Sequence, residues 1–293
     1  MMIDVIMLTK NSNKPFFKRV LAAIKRNILV HHFIVVDSYS TDGTVDVIRE
    51  FFKDKVVVIK TRASLGFARY IGMKLVDTEW FAFIDSDVEI LEGWHENAKP
   101  LMRVDRIWGI QGVFINSRYA NIRTYGKIEV VKNIDEVPRK FIVKYGFYRF
   151  SGADTGHVLL RRNVVSLLSP YIMKSLRSGE DFYIAQEITR AGYYYIRTDR
   201  LKAIHHRAGK INISKLVERA FNAHGLALYI DLKTFTLYNL CRMLKVLRER
   251  NVELLLWHLF YLLGELKAKS EIWTNTRTLR KVLASTQCNK YRP

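Results

Sequence analysis

Three acids occupy alternate positions of the segment FIDSDVEI (83–90): Asp85, Asp87 and Glu89. In an extended chain alternate side chains share a face, so these carboxylates would repel one another unless a cation lay among them. Oxygen ligands of this kind suit a hard divalent ion such as Mg2+ or Mn2+, which can in turn hold a diphosphate. A second acidic pair, Glu180-Asp181, opens GEDFYIAQEITRAG (179–192). A carboxylate there can take the proton of an attacking hydroxyl, although acids also favour a helix N-terminus through its macrodipole. Asp37 ends the apolar run FIVVD (33–37), where turn chemistry explains it poorly. Asp42 and Gly43, by contrast, fit a turn and cap ahead of a helix starting near Thr44.

The elements that must position these groups are legible in the first ninety residues. Short β-rich runs, IDVIML (3–8), FIVVD (33–37), KVVVIK (55–60) and WFAFID (80–85), alternate with helical stretches near 14–27, 44–53 and 66–76. This βαβαβαβ order predicts an α/β fold, an open and mostly parallel sheet with helices on both faces. Such sheets bind ligands at the carboxyl ends of their strands. The polar segments fall at those ends: Thr9-Lys10-Asn11, Asp37 to Gly43, Ser64-Leu65-Gly66, and Asp85-Ser86-Asp87. All four converge on one rim.

Further along, IWGIQGVFI, KFIVKYGFYRF and HVLLRR read as strands, and 179–192 as a helix stopped by Gly192. The strand YYYIRTD and the segment LKAIHHR follow it. Beyond residue 210 the pattern is almost wholly helical. A boundary at Ala208-Gly209-Lys210 divides the chain into an expected catalytic domain, 1–208, and a helical C-terminal region, 209–293.

With 48 Lys and Arg against 28 acids, the formal net charge is +20, which predicts attraction to an anionic partner without naming it. The excess is regional: residues 201–293 carry 17 basic residues against 6 acids. Two cysteines, Cys241 and Cys288, stand far apart outside any metal-binding spacing. The amino terminus MMIDVIMLTKNS reads as a first strand and not as a signal peptide, so a cytoplasmic location is expected.

Six segments, in order, resemble the family 2 glycosyltransferases: MLTKNS (7–12), IVVDSYSTDGT (34–44), LGFARYIGM (65–73), FIDSDV (83–88), SGADTGHVLLRR (151–162) and GEDFYIAQEITRAGY (179–193). One such motif alone is weak, and their order and spacing carry the resemblance. It implies a GT-A (Rossmann-like) fold and transfer of a sugar from a UDP- or GDP-linked donor, with inversion and with Mn2+ or Mg2+. By the same resemblance Asp87 holds the metal, Asp85 lies near the ribose or shares the ion, and Ser86 sits at the nucleotide between them. Asp37 meets the nucleobase, Thr9 and Asn11 line the base and ribose pocket, and Gly66 and Arg69 face the nucleotide. Asp181 is the base, with Glu180 beside it. Asp154 and Thr155 shape the sugar and acceptor pocket. His205 is a third metal ligand, with His206 and Glu89 as further candidates.

The run ELLLWHLFYLLGEL (253–266), flanked by basic residues, is shorter than the roughly 20 residues a membrane-spanning helix needs. It fits either a core helix or one lying on an anionic membrane surface. The acceptor can then be a lipid-linked glycan or polyprenyl phosphate, and the protein peripheral on the membrane. Two rival readings are a nucleic-acid-binding protein, motivated by charge and aromatic content, and a nucleotidyltransferase with a similar sheet. No nucleic-acid partner is expected, because several carboxylates gather on the predicted rim. The sequence is silent on oligomeric state.

Overall fold

The computed structural model describes residues 1–115, 154–177 and 179–206, together with the isolated helical positions Leu255, Leu259 and Leu263. Strands β1 (Ile3–Thr9), β2 (Val30–Asp37), β3 (Val56–Lys60) and β4 (Trp80–Ile84) are joined by helices α1 (Phe17–Asn27), α2 (Thr44–Phe52) and α3 (Leu65–Lys74). Then follow β5 (Val88–Ile90), α4 (Trp94–Met102), β6 (Ile107–Phe114), β7 (His157–Arg161), α5 (Val164–Leu167), α6 (Pro170–Ser175), α7 (Glu180–Arg190) and β8 (Tyr194–His205). The eight strands form one sheet in the order β3-β2-β1-β4-β7-β6-β8-β5.

The pairs β1–β2, β1–β4 and β2–β3 are parallel, as the sequence predicts, and so is β6–β8. β7 runs antiparallel to both β4 and β6, and β5 antiparallel to β8. The sheet is therefore mostly parallel at one side and mixed at the other, in keeping with the predicted α/β class. β1 and β4 are buried along nearly their whole length, which is why they read as continuous apolar runs. Helix α1 seals one face by burying Phe17, Val20, Leu21, Ala23 and Ile24. Each of the larger of these side chains contributes about 1.5–3 kcal/mol by leaving water.

The acidic segment departs from the extended chain supposed for it. β4 stops at Ile84, the amide of Val88 donates to the carbonyl of Asp85 (3.0 Å), and the chain turns across 85–87 before β5 begins. β5 then pairs at the far edge with β8, not along β4. The turn separates Glu89 from the two aspartates and relieves part of the expected repulsion. KFIVKYGFYRF (140–150) and most of the run 253–266 lie outside the described residues.

The chain divides into two compact units, one of Met1–Met173 with Asp181–Gly209, the other of Lys174–Glu180 with Lys210–Pro293. The first contains the sheet and every candidate site residue except Glu180. In the second, Leu259 and Leu263 are exposed and, with Leu255, recur at the four-residue spacing of one helix face. Among the described residues no helix is long and apolar enough to cross a membrane.

Candidate active site

The strand ends meet as the sequence predicts. Thr9 and Asp37 are register partners at the ends of β1 and β2, and the Thr9 hydroxyl donates to Asp37 Oδ1 at 2.7 Å. The amide of Ser40 donates to Asp37 Oδ2 at 2.8 Å, and the Ser40 hydroxyl also reaches Oδ1. Asp37 is fully buried, so it organises its loop while keeping acceptor capacity on Oδ2.

Asn11 has φ 49°, one of the few left-handed non-glycine residues. Its amide donates to Ser40 Oγ (2.8 Å), and its Oδ1 accepts from the Thr41 amide (2.9 Å). Asn11 thus ties the loop after β1 to the loop after β2, a role that suits its tolerance of this backbone region. Asp42 accepts from the amides of Asn13 and Thr44, as a turn residue should. Gly43, at φ 75°, caps α2.

Ser86 joins the acidic turn to the first loop, its hydroxyl donating to Ser12 Oγ at 2.9 Å. The backbone of Asp85 is held from the other side, where its amide donates to the carbonyl of Gly156 (2.9 Å). Arg69, on α3, extends its Nη2 to Asp85 Oδ1 at 3.1 Å while its guanidinium lies 4.9 Å above the Phe83 ring. The Arg69 side chain is buried at 4% exposure, whereas Asp85 is 36% exposed, so the pair presents its carboxylate toward the rim. Gly66 lies in the first turn of α3 with negative φ, and left-handed freedom is not what it supplies.

A second group of acids and one imidazole gather around Asp85. Although its side chain is 36% exposed, the protein packed around it withdraws the Asp85 carboxyl from water and pushes it up to about 6 against the pull of Arg69, and the negative charges of Asp87 and Asp154 add to the rise. His205 Nε2 stands 3.5 Å from Asp87 Oδ2. The His205 imidazole is raised chiefly by its hydrogen bond to Asp87, against a lowering by burial; Asp154 and Asp85 raise it further. Three carboxylates and an imidazole therefore share one field, with Arg69 bonded to one of them. Asp85, Asp87 and His205 offer the oxygen and nitrogen donors that a hard divalent cation accepts, and the upward shift of Asp85 is a strain a cation would remove.

Around Asp154 the site is built by residues the sequence did not single out, Gln111 and Tyr195. The Asp154 amide donates to Gln111 Oε1 at 3.0 Å, and the hydroxyl of Tyr195 donates to the same oxygen at 3.0 Å. The Tyr195 hydroxyl is raised well above the usual phenol range, first by burial and then by the charges of Asp181 and Asp154. Asp181 and Asp154 thus both act on Tyr195. Asp181 occupies the first turn of α7, where its Oδ1 accepts from the Phe182 amide at 2.8 Å. Glu180 opens the same helix and is buried, as is Thr155 beside Asp154.

Gly156 explains how the acids approach one another. A Cβ there would stand 2.8 Å from Asp154 Oδ1 and 3.5 Å from Asp85 Oδ2, so a side chain would push between them. Tyr39 was also missed: it is half exposed at the rim with φ 54°, and the Arg62 guanidinium lies 5.4 Å from its ring centre. Its only sequence signal was an aromatic inside the DSYSTDG loop.

His206 and Glu89 form a separate pair at 2.7 Å, with Arg19 Nε 3.9 Å from Glu89 and Phe16 stacked on the imidazole at 5.0 Å. The His206 amide donates to the carbonyl of Asp87 at 2.8 Å. Glu89 is thus engaged beside the acidic turn, holding it through β8.

The sequence profile of Glycosyl transferase family 2 matches residues 4–167. The glycosyltransferase SunS encoded by an SPbeta prophage of Bacillus subtilis is 37% identical over 71 residues, but the match spans only 16% of its length and 24% of this chain. The Escherichia coli UDP-Glc:alpha-D-GlcNAc-diphosphoundecaprenol beta-1,3-glucosyltransferase WfaP is 22% identical over 220 residues, 74% of this chain and 82% of WfaP. Among solved structures, the mannosyltransferase PcManGT of Pyrobaculum calidifontis in complex with GDP-Man and Mn2+ superposes with TM-score 0.56 at 15% identity, covering 100% of this chain and 82% of that one. Glucosyl-3-phosphoglycerate synthase of Mycobacterium tuberculosis with Mn2+, UDP and phosphoglyceric acid gives 0.53 at 17% identity, covering 77% and 76%.

Proposed function

The chain belongs to glycosyl transferase family 2, and from that premise we propose that it moves a sugar from a UDP- or GDP-linked donor to an acceptor hydroxyl or phosphate, with inversion. It is a transferase of the GT-A fold. The observation that carries it is the gathering of Asp85, Asp87, Asp154 and His205 in one field beside the Arg69 guanidinium.

In this reading Asp37, Thr9 and Tyr39 receive the base and ribose, with Tyr39 offering a ring for stacking. Asp85, Asp87 and His205 would hold Mn2+ or Mg2+, which supplies charge stabilisation for the departing diphosphate. Asp154, Thr155 and Gly156 border the sugar. Asp181 takes the acceptor's proton as the new bond forms, and Glu180 supports the start of its helix. One base and one displacement give inversion.

The name of WfaP specifies a diphosphoundecaprenol-linked acceptor, and a lipid-linked acceptor for this chain agrees with its basic 201–293 segment. Residues 209–293, for which the sequence pattern predicts helices, would rest on an anionic membrane surface. The test is a thermal-shift screen of nucleotides and nucleotide-sugars with and without Mn2+. A ligand at a hundred times its Kd stabilises the native state by about 2.7 kcal/mol. One UDP- or GDP-sugar should raise the melting temperature by several degrees only when Mn2+ is present. No shift with any donor, combined with tight and salt-sensitive nucleic-acid binding, would reject the proposal.

A further inference from the structure

At the opposite end of the sheet, Asp4 is fully buried near the start of β1, about 17 Å from the rim at Thr9 by the rise of five strand residues. The β1–β2 register here is irregular. Ile3 is opposite Val30 and Val5 opposite Phe33, so a single residue, Asp4, faces both His31 and His32. Consecutive strand residues normally point to opposite faces, and a bulge is the device that aims both at one partner. His31 Nδ1 lies 3.0 Å and His32 Nδ1 3.5 Å from the same oxygen, Asp4 Oδ1. One ligand atom from each of the three residues falls within 4.8 Å of the others. Asp77 Oδ2, from the turn before β4, is 3.6 Å from His32 Nδ1.

We propose that Asp4, His31 and His32, with Asp77 beside His32 as a candidate fourth donor, form a second metal site, selective for Zn2+ or a similar borderline transition ion. It is separate from the rim and independent of the glycosyltransferase reading. Two imidazoles with carboxylates favour such an ion over Mg2+, which prefers oxygen. Bonds of 2.0–2.1 Å in a tetrahedron place ligand atoms about 3.3 Å apart, and the distances of 3.0, 3.5 and 3.6 Å bracket that edge. Asp4 is already oriented, since its Oδ2 accepts from the amides of Asp77 (2.7 Å) and Thr78 (3.1 Å) and its Oδ1 from the amide of His32 (3.0 Å). A ligating carboxylate is commonly held this way. Binding requires both imidazoles neutral with the proton on Nε2, which leaves the Nδ1 lone pair for the ion. The side chains of His31 and His32 are 34% and 33% exposed, which leaves the ion a path from solvent. A bound ion would pin the beginnings of three adjacent strands, β2, β1 and β4.

The probe is Co2+, titrated into the full chain carrying Asp87→Ala and His205→Ala so that the rim does not compete. One equivalent should bind with visible absorption bands of tetrahedral intensity, and saturating Zn2+ should abolish the bands and raise the melting temperature. Adding His31→Gln and His32→Gln keeps a hydrogen-bonding group opposite Asp4 and should weaken Co2+ binding by at least about 100-fold, more than loss of an outer partner typically does. Unchanged Co2+ affinity in that variant would overturn the site. So would absence of binding in the histidine-intact protein, which would leave the cluster as a hydrogen-bonded staple.

Discussion

Single side chains carry the chemistry, and each has a separable signature. Asp181→Asn keeps the shape of the first turn of α7 but removes the proposed base. Its turnover should fall by about 10²–10⁴ while nucleotide-sugar affinity by calorimetry stays within twofold of wild type; joint loss would make Asp181 a structural residue or a ligand. Asp85, raised to about 6 in the metal-free protein chiefly by burial, and His205, also raised, must both lose protons before they can ligate. Mn2+ affinity should therefore fall as pH drops through 6, by about tenfold per unit for each proton displaced. The stability sign is the reverse for Asp85 alone: its folded carboxyl holds its proton above the ordinary 3.8, so the metal-free fold should lose stability as pH rises from about 4 to about 6. Melting curves with chelator across that range read it out. The sequence exposed Asp37, Asp85, Asp87 and Asp181 because an acid at a strand end or motif position is conspicuous. It did not expose Gln111 and Tyr195, which reach Asp154 only through contacts over forty or more residues.

Elements set how far these side chains can approach. β1 to β4 and their helices were legible because fully buried parallel strands write apolar runs and the helices between them write amphipathic ones. β5 and α4 were not: β5 is three residues long, and α4 contains Pro100, which argues against a helix by propensity. The turn at 85–87 was hidden for a related reason, since alternation of acids looks the same in a strand and in a turn leading to another strand. Gly112 lies at one of the two places where the β6–β8 register slips, between Gln111 and Val113. A Cβ there would lie 2.3 Å from the carbonyl oxygen of Leu201 and 2.3 Å from His157 Cε1. Gly112→Ala should cost about 1–3 kcal/mol or more, seen as a lower denaturation midpoint. Gly156→Ala would press on Asp154 Oδ1, which is held by the Gly156 amide at 2.6 Å, and on the buried Phe114 ring, 3.1 Å from the added Cβ; it should reduce donor turnover and lower the midpoint modestly, and an unaltered turnover would show that Asp154 has room to spare.

At the scale of the whole molecule, charge and composition were informative about partners in general and silent about which. Residues 201–293, with 17 basic residues against 6 acids, carry more than half of the +20 charge. If the 209–293 region is interfacial, the chain truncated after residue 245 should lose binding to vesicles containing phosphatidylglycerol, and undiminished binding would reject that role. Donor, sugar and acceptor stayed hidden because they depend on pocket shape. The central claim is that the carboxylates around Asp85 and Asp87 form half of a cage completed by a metal and the donor's diphosphate. Titration of free Mn2+ by electron paramagnetic resonance, with and without UDP or GDP, tests it most directly. The wild-type chain should bind Mn2+ markedly more tightly when one of these nucleotides is present, and Asp87→Ala should lose that enhancement. Equal, nucleotide-enhanced Mn2+ binding in Asp87→Ala would contradict the claim.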